Sequence, residues 1–293
     1  MGNKFLDRLA AGDVLVADGA TGTNLQKVGL QSGTTPEDWV FDRPEEILKL
    51  EQAWVEAGSD LILTCTFGGT RLRLKDSKYA DRAPELNRRA VEIAREATRG
   101  HDVLVAGSIG PTGQLFAPFG PLTKEAAVET YAEQSRALAE GGVDLFVIET
   151  HFALDEAGAA IEGVKQVSDL PIVISFSFDR GVRTMMGVKP TQVVKAFKAM
   201  GVAAVGANCG TTLENMEKIV QEYAATDSGL FIWAKPNAGL PTVVNGIATY
   251  DVSPQQMADA ALRNVELGAR IVGGCCGSTP EHVAAIARAV KSR

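Results

Sequence analysis

A single (β/α)8 TIM barrel of the α/β class is the fold this sequence predicts, and three observations predict it. Eight short apolar runs recur along the 293 residues, roughly 36 apart, which is the spacing of successive βα units. Each run is followed by a segment with the i, i+3, i+4 apolar spacing of an amphipathic helix. Because the runs are apolar nearly throughout rather than alternating, they read as strands of a parallel sheet covered on both faces.

In chain order the expected strands are Val14–Ala20, Asp60–Phe67, Val103–Gly110, Leu145–Thr150, Pro171–Phe178, Ala204–Gly210, Leu230–Ala238 and Ala269–Gly277. Helices fit between them at Pro44–Ala57, Arg82–Thr98, Thr123–Glu140, Leu154–Val167, Pro190–Met200, Thr212–Ala225, Ser253–Leu267 and Thr279–Val290. The first of these opens with Pro44 and the acidic pair Glu45 and Glu46 and stops at Gly58, the proline-first, glycine-last asymmetry of helices. Met1–Gly12 is expected to form a short helix closing one end of the barrel. Connections after helices are brief, such as Gly58-Ser59 and Gly268. Those after strands are long: Thr21–Arg43, Gly68–Asp81, Pro111–Leu122 and Gly239–Val252. In barrels of this kind the chemistry sits in the loops after the strands. One domain, residues 1–293, is expected.

Lys and Arg number 29 against 36 Asp and Glu, a formal charge of −7. No basic excess exists to neutralise phosphates, which argues against nucleic acid as a partner. Hydrophobic content of 45% with 22% charged residues suits a packed soluble chain. No apolar run approaches the ~20 residues of a membrane helix, and no secretory signal is apparent, so no membrane association is expected. Four cysteines, two of them adjacent, make no disulfide framework and point to a reducing cytoplasm.

Those cysteines carry the strongest chemical signal. Cys209 ends the sixth strand in Ala-Asn-Cys-Gly, and Cys275 and Cys276 end the eighth in Gly-Gly-Cys-Cys-Gly. One strand separates the two, so three thiols can face one point over the barrel mouth. Adjacent residues of a strand point to opposite faces, so Cys275 and Cys276 share a target only where the chain leaves strand geometry. Gly273, Gly274 and Gly277 permit that bend. Capping signals at Thr212 and Thr279 place two positive helix ends nearby, which favours thiolate. Three thiolates with no fourth protein ligand suit a catalytic Zn²⁺, one per chain, with one position open. The alternatives are buried structural cysteines and a vicinal disulfide. Asp18 and Glu149 end the first and fourth strands and can hold the ammonium of an amino acid whose other end reaches the metal; each alone can equally shape a turn. The backbone amides of Gly19 and Ala20 can hold a carboxylate, and Thr66 is expected among the substrate contacts. The Gly-rich turn after the eighth strand leaves a phosphate-handling lyase as another reading.

At these residues the sequence resembles the homocysteine S-methyltransferase family. The matching motifs are Asp18-Gly-Ala-Thr-Gly-Thr23, Gly107-Ser-Ile-Gly-Pro-Thr-Gly113, Glu149-Thr150, Asn208-Cys209, Lys235-Pro-Asn-Ala-Gly239 and Gly273-Gly-Cys-Cys-Gly-Ser-Thr-Pro-Glu-His282. The resemblance implies a zinc-dependent barrel that methylates homocysteine to methionine. Cys209, Cys275 and Cys276 would be the catalytic zinc ligands, and Asp18 and Glu149 would bind the homocysteine amino group. Asn237 would supply an oxygen to zinc when substrate is absent, or cap a turn. The Gly-Pro-Thr-Gly and Pro-Asn-Ala-Gly segments look most like the homocysteine-binding barrel of cobalamin-dependent methionine synthase. Cys65 departs from that pattern, and His151 stands where an aromatic or small residue is common. His101 and His282 read as surface residues.

One barrel uses up the whole sequence, so the methyl group is expected on a separate corrinoid-binding or folate-binding partner protein, for example as methylcobalamin. Arg71, Arg73, Lys75 and Lys78 form a basic cluster able to dock such a carrier, or a solvated loop. Trp39, Phe41, Phe116 and Phe119 can cage an onium donor such as betaine, S-methylmethionine or S-adenosylmethionine by cation–π contact, or pack as a lid. A non-catalytic homocysteine-binding subunit of a larger assembly is the remaining alternative.

Overall fold

The computed structural model describes residues 2–31, 33–244 and 247–292. The elements along the chain are α1 (Lys4–Ala10), β1 (Leu15–Val16), α2 (Thr21–Lys27), α3 (Trp39–Asp42), α4 (Pro44–Glu56), β2 (Leu61–Leu63), α5 (Ala83–Ala97), β3 (Leu104–Ile109), α6 (Lys124–Gly141), β4 (Leu145–His151) and α7 (Leu154–Lys165). They continue with β5 (Ile172–Phe176), α8 (Pro190–Phe197), β6 (Ala204–Asn208), α9 (Leu213–Ala224), β7 (Phe231–Lys235), β8 (Thr242–Val244), β9 (Ile247–Thr249), α10 (Pro254–Glu266), β10 (Ile271–Val272) and α11 (Pro280–Lys291).

Eight parallel strands form one sheet in the order β1-β10-β7-β6-β5-β4-β3-β2. A parallel bridge between Ala17 and Leu61, with the Asp60 N–H donating to Val16 O at 2.6 Å, joins the two ends and closes the barrel. The strands alternate faces with period two. Leu15, Leu61, Leu104, Leu145, Val147, Val173, Ala204, Trp233 and Ile271 fill the interior. Val16, Ile62, Val105, Phe146, Ile148, Ile174, Val205 and Val272 face outward into the layer beneath the helices.

The expected N-terminal helix is present as α1, capped by the Asn3 side chain, and it inserts buried Phe5 and Leu9 into the barrel interior. Met1 of that expected segment lies outside the described residues, as do Ser32, Asn245 and Gly246 of the long loops. The expected helix bounds agree with the observed ones to within a few residues; past Phe197 the expected Pro190–Met200 helix tightens into a 3₁₀ turn.

Most strands, by contrast, are shorter than expected, while β4 runs one residue past the expected Thr150 to His151. Ala269–Gly277 shrinks to Ile271–Val272, and Val14–Ala20 to Leu15–Val16. At the mouth, Thr150 within β4 and Cys209 just past β6 adopt φ of 63° and 55°, left-handed values that cost a non-glycine residue about 1–3 kcal/mol. The hairpin of β8 and β9 was not anticipated, although Asn245-Gly246 between two β-branched runs is a hairpin signal.

Candidate active site

Continuing the inward period of two up each strand changes the side chains from apolar to polar. Above Leu104 and Ala106 stands Ser108, above Leu145 and Val147 stands Glu149, above Val173 stands Ser175, above Ala204 stands Asn208, and above Trp233 stands Lys235. This polar layer is buried and interlocked. Glu149 accepts the Ser108 hydroxyl at 2.6 Å and the Asn208 amide at 3.3 Å. The Asn208 carbonyl accepts the Ser175 hydroxyl at 2.6 Å and the Thr150 N–H at 3.0 Å, while its amide also donates to the Thr150 hydroxyl at 2.7 Å. Asn208 thus ties three strand ends together and holds Thr150 in its left-handed conformation, while the N–H of its neighbour Cys209 donates to Lys235 O at 3.4 Å. Burial pushes the Glu149 carboxyl up to about 7, against the opposing pull of Lys235.

The three expected thiols converge. Cys209 Sγ lies 2.7 Å from Cys275 Sγ and 3.5 Å from Cys276 Sγ. All three ligand atoms lie within 4.8 Å of one another, the one such group of His, Cys, Asp or Glu side chains among the described residues. Cys275 and Cys276 reach the same point because the chain has left β10: the Cys275 N–H donates to Pro236 O at 2.8 Å, and Cys276 O accepts the Ala238 N–H at 2.9 Å. Gly277 is required beside them. Its φ is 82°, and a Cβ there would collide with the ring of Tyr250.

That ring brings a hydroxyl to the Cys276 sulfur. The Cys276 thiol is pulled down to about 3 by hydrogen bonds from Cys209, Cys275 and Tyr250. Hydrogen bonding to its two neighbours, together with burial, pushes Cys209 well above its ordinary value. Cys275 rises as well, the hydrogen bond from Cys209 being outweighed by Cys276 and burial. The trio therefore concentrates its negative charge on one sulfur, and a cation is what would let all three ionise. The donor set fits a soft metal with an open position. A second observation agrees: Asn237 Oδ1, on the segment bonded to Cys275 and Cys276, is buried without a hydrogen-bond partner.

The sulfurs lie on the wall of a cavity of about 770 Å³, which Gly19, Ala20, Thr66, Glu149 and Lys235 also line. Thr66 is buried and its hydroxyl is engaged, at 2.8 Å from Ser108 O and 2.6 Å from the Thr64 hydroxyl. Asp18 is placed behind the wall rather than on it. It is 1% exposed, accepting the Leu63 N–H at 2.7 Å and the Lys235 ammonium at 2.5 Å. Asn237 is likewise not among the lining residues. Cys65 lines the cavity, and burial raises its pKa well above the ordinary thiol value.

The aromatic cage does not form. Trp39 lies under the Arg43 guanidinium, Phe41 packs edge-on to Tyr79 with Arg82 over its face, Phe116 packs on the core and Phe119 is 82% exposed. None lines the cavity, where Phe67 is the one aromatic among the described residues. Of the basic cluster, Arg71 pairs with Glu133 and Lys78 with Asp42, leaving Arg73 and Lys75 at the cavity rim. His151 is fully buried, with both ring nitrogens lacking partners. His101 is exposed as expected, but His282 is not a surface residue. Its ring accepts the Thr279 N–H at 3.1 Å and lies 2.8 Å from Val252 O, locking the start of α11 to the loop that carries Tyr250.

Lys235, Ser108, Asn208 and Tyr250 are the site residues whose roles the sequence reading missed. For the first three the signal was the period of two continued past the apolar part of each strand. Tyr250 stands inside a long loop, where no periodicity aims it.

The chain matches the family model of homocysteine S-methyltransferase over residues 15–290. It is 29% identical over 294 residues to the methionine synthase of Mycobacterium leprae (strain TN), an alignment covering 94% of this chain and 24% of that protein. The chain thus spans about a quarter of that relative's length. Among solved structures, the metallated form of the homocysteine methyltransferase MmuM from Escherichia coli matches with a TM-score of 0.80 at 25% identity, over 96% of this chain and 98% of that one. A methyltransferase from Methanosarcina mazei shares the fold, with a TM-score of 0.61 at 14% identity over 96% of this chain and 94% of that one. With thiols from two nonadjacent strand ends meeting beside a buried carboxyl, and with this match along nearly its full length, the chain belongs to the homocysteine S-methyltransferase family.

Proposed function

We propose that this barrel methylates homocysteine to methionine at a zinc ion held by Cys209, Cys275 and Cys276, with the methyl group delivered by a methylcorrinoid or methylfolate system on a protein unit outside the barrel. The observation that carries the reading is the convergence of three sulfurs on the wall of a cavity that also contains the buried carboxyl of Glu149. An alkyl thiol is mostly protonated at pH 7 and reacts as its thiolate; bound zinc would supply that deprotonation and a fixed position for the sulfur.

The chain's own residues do the rest. Glu149, fixed by Ser108 and Asn208, accepts the substrate ammonium, and Asp18 supports it from behind the wall. Gly19, Ala20 and Thr66 flank the bound amino acid. Asn208 holds the strained Thr150 backbone beside Glu149. The Tyr250 hydroxyl donates to the Cys276 sulfur and keeps it aimed inward. Asn237, whose Oδ1 is without a partner on the segment that bonds Cys275 and Cys276, would be the group to fill the open metal position between turnovers. The site holds homocysteine with its sulfur at the rim of a wider cavity, from which an acceptor thiolate can attack in line.

The lack of an aromatic cage favours a donor outside the onium class, and the likeness to methionine synthase favours a corrinoid or folate carrier. A donor screen on zinc-loaded protein with homocysteine tests this: methylcobalamin, methylfolate, betaine, S-methylmethionine and S-adenosylmethionine. Methionine formation from methylcobalamin, or from methylfolate once its carrier is supplied, is expected. Turnover with an onium donor alone would move the donor class. Homocysteine binding without turnover from any donor would make the barrel a binding subunit.

A further inference from the structure

α11 opens in the manner of a capping box: its third residue reaches back to the N–H of Thr279, the residue that precedes the helix. Glu or Gln ordinarily stands at that third position, because one side-chain oxygen is all the cap requires. Here it is His282, 8% exposed, and an imidazole offers two nitrogens in place of one acceptor. Nδ1 takes the Thr279 N–H at 3.1 Å and completes the cap. Nε2 lies 2.8 Å from Val252 O. A backbone N–H can only donate and a carbonyl can only accept, so the two contacts together fix a neutral ring with its proton on Nε2, donating to Val252. The cap alone does not call for that second bond.

Val252 closes the loop that follows β7. Its N–H donates to Ala238 O at 3.1 Å, and the Ala238 N–H donates to Cys276 O at 2.9 Å. Residues 239–251 therefore leave and rejoin the barrel at a neck that ends on a cysteine of the trio. Two residues before Val252 stands Tyr250, its ring packed where Gly277 has no side chain and its hydroxyl on the Cys276 sulfur. The His282 bond fastens this neck to the first turn of α11.

We propose that His282 is a positioning residue of the thiol trio: by donating to Val252 O it seats the loop after β7 so that the Tyr250 hydroxyl meets the Cys276 sulfur. The assignment rests on the reading of the trio as a zinc site and deepens it, since a fixed hydroxyl on one sulfur orients that ligand before the metal arrives.

Three substitutions separate the cap from the tie. His282→Glu keeps an oxygen for the Thr279 N–H, the ordinary capping-box arrangement, but has no proton for Val252 O. His282→Gln carries an acceptor and a donor about as far apart as the two ring nitrogens and can restore both bonds. Tyr250→Phe removes the hydroxyl alone. Zinc affinity is read by competition with a chelator, and the tie by hydrogen–deuterium exchange of residues 238–252 in the metal-free protein. Tyr250→Phe and His282→Glu are each expected to weaken zinc binding by about 10-fold, the lower end of what loss of a ligand-orienting group does. An added carboxylate would by charge alone favour a cation, so a loss in His282→Glu cannot come from charge. The double variant is expected to stay within about twofold of Tyr250→Phe, because the two residues act through one contact. His282→Glu should speed exchange across the neck while its unfolding midpoint stays near wild type, the cap being intact. His282→Gln should keep wild-type affinity and exchange. Losses that add in the double variant, affinity or exchange that His282→Glu leaves unchanged, or a loss that His282→Glu and His282→Gln share equally would overturn the assignment with the zinc reading intact. A wild-type protein that binds no zinc would overturn that reading, and this assignment with it.

Discussion

At the N-terminal ends of the strands, α1 lays Phe5 and Leu9 over Leu15, Leu61, Leu104 and Leu145, and two aspartates are held in place by partners. Asp60 accepts the Val16 N–H and is paired with Arg8 and Lys291, while Asp144 accepts from the Val105 N–H and the Asn3 side chain. At the C-terminal ends the same strands carry Ser108, Glu149, Asn208 and Lys235, two left-handed non-glycine residues, and a partnerless Asn237 oxygen. One end is an apolar plug whose one left-handed non-glycine residue among those described, Asp227, sits in a helix-to-strand connection; the other keeps charge, strain and thiols buried together. The difference teaches where stability and reactivity are separated in this chain: the plug stabilises a scaffold rigid enough to hold the mouth in conformations it would not adopt alone.

The largest expected effect tests the mouth. Alanine at Cys209, Cys275 or Cys276 should remove bound zinc, measured by elemental analysis, and lower methionine formation by about 10³-fold or more, with little change in the unfolding midpoint of the metal-free protein. Phe5→Ala tests the plug in the opposite sense. It should cost about 3–5 kcal/mol of unfolding free energy in denaturant while kcat/KM of the folded fraction stays within about twofold. If Phe5→Ala instead lowered zinc content, the two ends would not be separable.

Asn208→Ala comes next, because Asn208 spans both properties. It should weaken zinc affinity by roughly 10- to 100-fold, as loss of a group orienting a ligand does. It should also destabilise by about 1–3 kcal/mol, since the Thr150 N–H and Ser175 hydroxyl lose their acceptor. Unchanged affinity would mean that Cys209 needs no help from β4 and β5.

A smaller effect concerns pH. Burial holds the Glu149 pKa near 7, so the carboxylate proposed to bind the ammonium is present above that pH and is lost below it. The ratio of wild-type to Glu149→Gln kcat/KM for homocysteine should therefore rise with pH through about 7 and level off above. A ratio independent of pH would remove Glu149 from substrate binding. Smallest of all, Cys65→Ala should leave zinc content and turnover within about twofold, because that thiol is held protonated by burial away from the trio.

The asymmetry between the two ends was partly legible in the letters. Apolar runs followed by helical spacing gave the barrel, and long connections after strands gave the working end. Cys209, Cys275 and Cys276 were legible because glycines and helix caps surround them and sulfur has few reasons to cluster. Asp18 and Glu149 look alike in sequence, each an acid at a strand end. They differ in the fold because a lysine 217 positions away reaches Asp18, a pairing no local pattern encodes. The aromatic residues of the long loops were misleading for a related reason: Arg43, Arg82 and Tyr79 compete for Trp39 and Phe41, and only the folded loop decides which partner wins.

X-ray absorption at the zinc edge of purified, reduced protein addresses the central proposal most directly. The spectrum should show three sulfur neighbours and one lighter atom without acceptor, becoming four sulfurs at ~2.3 Å when homocysteine is added. Protein that binds no zinc under these conditions, or a spectrum that homocysteine leaves unchanged, would contradict the account.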